Sequence, residues 1–328
     1  MKVLVCGSTG CIGAAVVHAL RARGHKVVEA SRRPGAAREH WLLDFSNPVA
    51  PRRWAERLRD AQVDTVVNCV GILKPSRGQR FERVHAQGPI ELFRGAALAG
   101  VRRVIQVSAL GVGPGGIDSQ YLHSKLLADD LLATLPLDWA VLRPSLVYGP
   151  RSASAALFAT LAALPAVGLP GRGTQRLQPL HVYELAEAIA RLVEQRGALR
   201  VVHELGGPEP VSYREMLAGY RTALGLGEPL WLPVPMPLMK LAARVAGVLP
   251  QKSFSPETLH LLERGSVPAT NALPTLLGRS PTALAQGLRI SPPEPRIEWR
   301  ARFARTVSLA QKLTIGVLAV LLWIAHTR

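Results

Sequence analysis

Cysteine and aromatic residues are scarce in this sequence. The chain has three cysteines, Cys6, Cys11 and Cys69, and no Cys-x-x-Cys pair among them. Because no disulfide framework is indicated, we expect the protein to work in a reducing compartment. Aromatic residues account for 5% of the chain, and no run of Lys and Arg is interleaved with them. Nucleic-acid binding is therefore not expected.

Acidic residues are also few, with 23 Asp and Glu against 40 Lys and Arg, which gives a net charge of +17 at pH 7. Such an excess suits an anionic cofactor or an anionic membrane surface, as well as nucleic acid. The arginines are scattered, so we interpret most of them as solvated surface residues. The sequence leaves no room for a signal peptide before its first apolar residues, which favours a cytoplasmic protein.

The start of the chain carries a glycine pattern between a strand and a helix. Residues 3–5 are Val-Leu-Val, typical of a buried parallel strand, and glycines follow at Gly7, Gly10 and Gly13. Apolar residues then recur with helical spacing over positions 12–20. In this context the glycines permit a tight turn, a close approach of a pyrophosphate and close helix packing, while the helix N-terminus attracts phosphate. We predict a dinucleotide-binding turn rather than a simple strand-to-helix connection.

Strands and helices alternate through the first half of the chain. This alternation predicts an α/β fold with a doubly wound parallel sheet. Prolines and loops become more frequent after Pro150. We divide the chain into a nucleotide-binding domain, a smaller loop-rich region with the remaining elements, and a terminal segment: residues 1–150, 151–295 and 296–328.

The terminal segment, residues 296–328, combines a basic flank with an apolar run. Residues 313–325 are uncharged, but these 13 residues fall short of the roughly 20 that a membrane-spanning helix needs. Basic residues before an apolar helix are typical of attachment to the inner face of the plasma membrane. We therefore expect a membrane surface or a membrane protein as a partner of this segment. A helix docked on the protein's own surface is the alternative.

Ser108, Tyr121 and Lys125 form the candidate catalytic group. Ser108 follows a predicted strand, at the sheet edge where ligands bind. Tyr121 and Lys125 are four residues apart on a predicted helix and share a face. A phenol with its ordinary pKa of about 10 is a poor base, but a nearby ammonium favours the phenolate and brings it within reach of proton transfer. Ser108 would hold the oxygen of a substrate carbonyl.

The other ionisable residues near this group carry no predicted role. Asp129 and Asp130 lie beyond Lys125 on the same helix, and we interpret them as part of its solvated face. No metal site is expected, because the histidines share no metal-ligand spacing. We interpret five of them as surface or packing residues: His18, His25, His40, His85 and His123.

The residues that follow the second strand indicate which cofactor is bound. An acidic residue there binds the ribose 2′-hydroxyl of NAD, whereas arginine accommodates the 2′-phosphate of NADP. The strand ends at Ser31 and is followed by Arg32 and Arg33, while Glu29 lies two residues too early. We predict that NADP(H) is favoured over NAD(H). The alternative is that these are two surface arginines.

Several motifs resemble those of extended or atypical short-chain dehydrogenases/reductases. They are residues 7–13 (GSTGCIG), 68–71 (NCVG), 121–125 (YLHSK), 143–150 (RPSLVYGP), 178–186 and 276–281. The resemblance covers about residues 1–290 and is strongest to the branch with the NDUFA9-type accessory subunit of respiratory complex I. The terminal segment resembles the start of a DoxX-like membrane module, truncated after one segment. The resemblance implies a seven-stranded parallel Rossmann sheet that binds NAD(P).

The resemblance also implies a role for each site residue. Tyr121 would be the acid/base, Lys125 its partner, and Ser108 the residue that holds the substrate oxyanion. At the pyrophosphate, the cofactor would be bound by Gly7, Gly10 and Gly13, with backbone contacts from Thr9 and Ile12. Asp44 would bind the adenine amino group, and Asn68 would lie under the cofactor. Pro144 and Val147 would line the nicotinamide.

Two functions fit these observations. The first is an NAD(P)H-dependent oxidoreductase or epimerase that acts on a small carbonyl or alcohol substrate. The alternative is a non-catalytic NADPH-binding accessory or sensor protein of a membrane or respiratory, quinone-linked complex. The complete set of Ser108, Tyr121 and Lys125 favours catalysis, whereas the branch of the family and the apolar tail favour the alternative.

Overall fold

The structure, a computed structural model, describes residues 1–294 apart from positions 34, 36, 38, 77, 117 and 249–254. The helix predicted in the terminal segment lies outside the described residues, as does the DoxX-like resemblance. None of the helices that are described is both long and apolar enough to cross a membrane. The chain divides into two compact units. The first holds residues 1–145, 182–206 and 268–281, and the second holds the described parts of 146–181, 207–267 and 282–294.

Strands and helices alternate along the described chain. The strands are β1 (Lys2–Cys6), β2 (Lys26–Ser31), β3 (His40–Leu42), β4 (Thr65–Asn68), β5 (Arg103–Val107), β6 (Asp138–Pro144), β7 (Val147–Tyr148), β8 (Ala166–Pro170), β9 (Arg176–Leu177), β10 (Leu180–His181), β11 (Arg200–Leu205), β12 (Val211–Ser212) and β13 (Leu230–Val234). The helices are α1 (Cys11–Ala22), α2 (Pro51–Asp60), α3 (Gly88–Ala99), α4 (Gln120–Thr134), α5 (Ala153–Ala162), α6 (Val182–Glu194), α7 (Tyr213–Ala223), α8 (Met236–Val248), α9 (Pro256–Arg264), α10 (Leu273–Leu277) and α11 (Leu284–Ile290).

A seven-stranded parallel sheet forms the centre of the first unit. Its strands lie in the order β11-β6-β5-β4-β1-β2-β3. Helix α1 packs on α6, while α2 packs on α3 and α3 on α4. Val3, Leu4 and Val5 are fully buried, as expected for strands with both faces covered. The predicted α/β doubly wound sheet with seven strands is confirmed, and its order reverses between β1 and β4, where such sheets bind ligands.

The helical stretch over residues 82–99 is not uniform. A π-helical turn, Glu82–Gln87, precedes α3. Pro89 has no N–H to donate to the carbonyl of His85 four residues earlier, so the ordinary α-helical pattern cannot continue through this point. The wider turn presents His85 to the interior, where its side chain is buried. Such turns occur frequently at functional sites.

The second unit is smaller and rich in loops, as predicted. Its strands form three short pairs, β7 with β10, β8 with β13, and β9 with β12. The core of this unit gathers Tyr148, Tyr213 and Tyr220 around α5 and α7. Gly287 of α11 is a required glycine, because a Cβ there would overlap the Tyr148 hydroxyl.

Candidate active site

The turn between β1 and α1 has the geometry that the glycine pattern predicts. Gly7 has a φ of +80°, in the left-handed region that favours glycine. A Cβ on Gly13 would overlap the Gly7 carbonyl oxygen, and one on Gly10 would lie 3.3 Å from it. Thr9 is exposed and Ile12 half-buried at this turn. Since Gly10 has no side chain to cap α1, the first N–H groups of the helix form a cradle that fits a pyrophosphate.

A cavity of about 250 Å³ lies beside the carboxyl ends of β2 and β3. Arg32 and Asp44, both predicted to bind the adenosine half of the cofactor, line it together. The Asp44 Oδ1 atom accepts a hydrogen bond from the backbone N–H of Ser46 (2.9 Å). Arg33 is exposed, and its carbonyl oxygen accepts a hydrogen bond from the Ser31 hydroxyl (2.8 Å). Of the two predicted arginines, Arg32 is the one that lines the cavity.

Arg57 is a cavity residue that sequence reasoning missed. It comes from α2, lines the same cavity as Arg32, and its guanidinium lies 4.2 Å from the centre of the Trp41 ring. This stacking holds the charged group over an aromatic face. Its position could not be predicted from the sequence, because Arg57 is one of several basic residues of α2.

The catalytic candidates Tyr121 and Lys125 lie on the face of α4 that covers the end of β5. The side-chain oxygen of Ser119 accepts a hydrogen bond from the N–H of Leu122 (3.1 Å) and so caps the helix just before Tyr121. Lys125 Nζ lies 5.6 Å from the centre of the Tyr121 ring and donates to the Val107 carbonyl oxygen (3.2 Å). Lys125 is buried, and loss of solvation lowers its pKa to about 8.

Ser108, the next residue after β5, contacts the same helix. Its hydroxyl donates to Asp129 Oδ2 at 2.7 Å, and Arg143 Nη2 lies 3.5 Å from that oxygen. Asp129 is buried, so the prediction that it belongs to a solvated face was wrong. The spacing contained the signal, since Tyr121, Lys125 and Asp129 are each four residues apart and share one helix face.

Burial also changes the acidity of this carboxyl group. Loss of solvation raises the pKa of Asp129 to about 6, although Ser108, Lys125 and Arg143 each oppose the rise. A carboxyl group with this pKa changes its protonation state close to neutral pH, whereas an ordinary aspartate, with a pKa of about 3.9, is ionised there.

Asn68 and Pro144 lie at the carboxyl ends of their strands. Asn68 is fully buried; its Nδ2 donates to Gln106 Oε1 (2.8 Å) and its Oδ1 accepts from the Val70 N–H (3.2 Å). Pro144 is buried at the end of β6, whereas Val147 belongs to β7 in the second unit and is half-buried. In the first unit, the sheet edge thus collects the glycine turn, Asn68, Pro144 and the catalytic candidates.

His85 is a second residue whose position the sequence did not reveal. Its Nε2 atom accepts a hydrogen bond from the Ile72 N–H (2.9 Å), so Nδ1 carries the proton and donates to Ser124 Oγ (3.0 Å). Ser124 in turn donates to the Tyr121 carbonyl oxygen (2.9 Å). The His85 ring stacks on Phe81 and meets the Tyr121 ring edge-on at 5.3 Å. Burial, followed by Lys125, holds the pKa of His85 well below its usual range.

The cysteines near the site are protonated thiols. Burial raises the pKa of Cys69 to about 12 and raises that of Cys6 as well. Within the described ranges, no group of three or more His, Cys, Asp or Glu side chains is arranged to hold a metal ion.

The sequence of residues 3–203 decides the family. Residues 3–203 match the NAD dependent epimerase/dehydratase family. The chain belongs to this family. The matched span includes the glycine turn, the cavity beside β2 and β3, and the candidate catalytic group, so this family member carries all of them in the region that defines it.

Three relatives show the range of proteins that this chain resembles. It is 28% identical to a 3-diazoavenalumate denitrifying reductase from a Streptomyces species, over 75% of this chain and 88% of the relative. It is 26% identical to UDP-glucose 4-epimerase from Vibrio cholerae, over 75% and 82%. It is 25% identical to the mitochondrial NADH dehydrogenase [ubiquinone] 1 alpha subcomplex subunit 9 from Rattus norvegicus, over 85% and 76%. The resemblance to the complex I accessory subunit is thus present, but distant.

Solved structures show the same fold. MoeE5 in complex with UDP-glucuronic acid and NAD superimposes with a TM-score of 0.67 at 24% identity, over 92% of this chain and 100% of that one. The NADPH-dependent quinone oxidoreductase QOR2 of Escherichia coli, complexed with NADPH, gives a TM-score of 0.68 at 19% identity, over 88% and 99%. Neighbours with this fold therefore bind either NAD or NADPH.

Proposed function

We propose that this family member is an NADP(H)-dependent oxidoreductase or epimerase that acts on a small carbonyl or alcohol substrate. The observation that carries the proposal is the convergence of Tyr121, Lys125 and Ser108 beside the carboxyl end of β5. The glycine cradle and the cavity beside β2 and β3 lie along the same sheet edge. A structural protein that merely binds a nucleotide would not require the catalytic group.

The three side chains would divide the work on the substrate oxygen. The bound cofactor supplies or accepts the hydride. Tyr121 would donate a proton to the carbonyl oxygen in reduction and remove it in oxidation. The Lys125 ammonium, held by the Val107 carbonyl, would favour the phenolate that Tyr121 forms. Ser108 would hold the oxygen as negative charge develops on it.

The preference for NADP(H) rests on two arginines of the cavity beside β2 and β3. Arg32 and Arg57 both line it, and no acidic residue follows β2 directly, where NAD-selective proteins bind the ribose. A guanidinium suits a phosphate because it offers several N–H donors in one plane. Asp44 lines the same cavity and would bind the adenine amino group.

The alternative is an NADPH-binding accessory or sensor protein without turnover. The likeness to subunit 9 of mitochondrial NADH dehydrogenase supports it, as does the predicted membrane association of the terminal segment. If this alternative holds, the cofactor would stabilise the fold of this chain, and Tyr121 would have no acid/base role.

Turnover of defined probes separates the two functions. The full-length protein is titrated with NADPH and NADH and then assayed with para-nitrobenzaldehyde and phenanthrenequinone. Tyr121→Phe is expected to lower kcat by about a thousandfold with little change in the Kd for NADPH, because the loss is confined to proton transfer. Tyr183→Phe, at an exposed tyrosine of α6, is the matched control.

Equal activity of Tyr121→Phe and wild type would refute the oxidoreductase. Tight NADPH binding without turnover of either probe would favour the accessory protein.

A further inference from the structure

The proton of the Ser108 hydroxyl is donated to Asp129. Ser108 Oγ lies 2.7 Å from Asp129 Oδ2, in the geometry of a strong hydrogen bond to a carboxylate. A hydroxyl has one proton to donate, although its oxygen can accept further hydrogen bonds. While this bond persists, Ser108 cannot also donate to a substrate oxygen, and it cannot stabilise negative charge there.

The surroundings of Asp129 leave its charge incompletely compensated. Oδ1 is buried and has no hydrogen-bond partner within the described part of the chain. Three groups face the carboxyl: Lys125 from one turn earlier on α4, Arg143 from β6, and Ser108. Arg143 Nη2, at 3.5 Å, makes a long contact, and Lys125 donates to a backbone carbonyl instead. A buried carboxylate with one unpaired oxygen is stabilised when it takes up a proton.

We propose that Asp129 is a positioning residue that works in its protonated form. The neutral carboxyl group donates its proton to Ser108 Oγ, and the Ser108 O–H turns to donate to the substrate oxygen. The inference rests on the proposed function, because it assigns Ser108 to that oxygen.

The reaction balances without a proton from this pair. In reduction the carbonyl carbon gains the hydride of NADPH, the carbonyl oxygen gains the proton of Tyr121, and NADP⁺ remains. Asp129 keeps its proton throughout the step, and the Ser108 O–H only rotates. Asp129 therefore acts through Ser108 and does not touch the substrate.

This arrangement gives the protein a pH dependence of defined sign. Because burial raises the pKa of Asp129 to about 6, the protonated fraction falls as the pH rises through this value. Ser108 then becomes unable to donate, and kcat is expected to fall about fiftyfold between pH 6 and pH 8, in proportion to the protonated fraction. Asp129→Asn places an amide N–H donor against Ser108 at every pH, so its kcat should change by less than about twofold over the same range.

The experiment compares pH profiles of kcat in the full-length protein. NADPH oxidation is followed from pH 5 to pH 9, with para-nitrobenzaldehyde or phenanthrenequinone, for the wild type, Asp129→Asn and Asp130→Asn. Asp130 is the matched control, because it is the next residue on α4 and is exposed. The Tm and the Kd for NADPH are measured for each variant. In parallel, carbon-13 NMR of labelled aspartate carboxyls follows the ionisation of Asp129 directly, with its resonance assigned in the wild type through scalar correlations to the Asp129 backbone.

A flat profile for Asp129→Asn, beside wild-type and Asp130→Asn profiles that fall above pH 6, would support the proposal. Identical profiles for the wild type and Asp129→Asn would overturn it. So would a folded, NADPH-binding Asp129→Asn that is inactive at every pH, because the ionised carboxylate would then be required. If the wild type turns over no probe, the proposed function is what fails. The NMR titration still tests whether Asp129 is protonated beside Ser108, even if Asp129→Asn does not fold. An Asp129 carboxyl that ionises near pH 4 in the wild type would overturn the proposal.

Discussion

His85 Nδ1 lies 3.0 Å from Ser124 Oγ, and this contact joins the π-helical turn to α4. The same imidazole accepts a hydrogen bond from Ile72 after β4. One buried side chain thus connects three segments around Tyr121. Because the ring is neutral with a fixed tautomer, each of its nitrogens has one role, as donor or as acceptor.

Replacing His85 with phenylalanine should loosen this connection. The Phe side chain keeps the ring but leaves the Ile72 N–H without its partner, at a cost of about 1–3 kcal/mol in the free energy of unfolding. Urea unfolding measures the loss, and His123→Phe, at an exposed histidine of α4, is the control. A change below about 0.5 kcal/mol would contradict the role of His85, since that is typical of neutral surface substitutions.

Gly13→Ala should weaken cofactor binding strongly. The added methyl group would overlap the Gly7 carbonyl oxygen, which is rigid backbone, so the turn must open. We expect the Kd for NADPH to rise at least about a hundredfold, because this turn is the proposed site of the pyrophosphate. Gly10→Ala, with a Cβ 3.3 Å from the same oxygen, should have a smaller effect. Gly227→Ala meets nothing within 4 Å and is the control. Isothermal titration measures the three affinities, and equal affinity of Gly13→Ala and wild type would refute the cradle.

Arg57→Ala should weaken NADPH binding more than NADH binding. A charge-assisted hydrogen bond to the 2′-phosphate contributes about 1.5–3 kcal/mol, so the Kd for NADPH should rise about tenfold or more. The Kd for NADH should change little, because NADH has no 2′-phosphate. Arg53→Ala, at an exposed position of α2, serves as the matched substitution. Equal losses for the two cofactors would show that Arg57 supports the cavity wall and does not select the phosphate.

Lys125→Met should change how stability depends on pH in the cofactor-free protein. Folding lowers the pKa of Lys125 from 10.5 to about 8, so between these values the unfolded chain binds more protons and stability rises with pH. The rise from this residue is about 1.5 kcal/mol between pH 8 and pH 9.5. The free energy of unfolding is measured against pH for both proteins, and the difference between the two curves isolates the contribution of Lys125. The buried cysteines contribute in the opposite direction, because their raised pKa values make stability fall as the pH rises. Lys26→Met, at an exposed lysine, should leave the wild-type slope unchanged.

The elements predicted with success depend on local patterns. The glycine turn, the buried strands and the doubly wound sheet follow from spacing over a few residues, and the structure contains all of them. The shared face of Tyr121 and Lys125 follows from helical geometry in the same way. The failures occurred where one residue interacts with a distant segment. Asp129 was assigned to solvent because a carboxylate on a helix is usually exposed. Its spacing from Tyr121 and Lys125 places it on their face of α4, but only the tertiary structure shows that Ser108 and Arg143 contact it there.

The sequence by itself determined the fold class and the order of the candidate site along the chain, because hydrophobic periodicity and glycine spacing are local properties. Tertiary structure alone decided which side chains meet. It joined Ser108 to Asp129, His85 to Ser124, and Arg57 to the cavity of Arg32. Ser108 and Asp129 are 21 residues apart in the chain, and His85 and Ser124 are 39 residues apart. They meet because the parallel sheet brings the ends of separate strands to one edge.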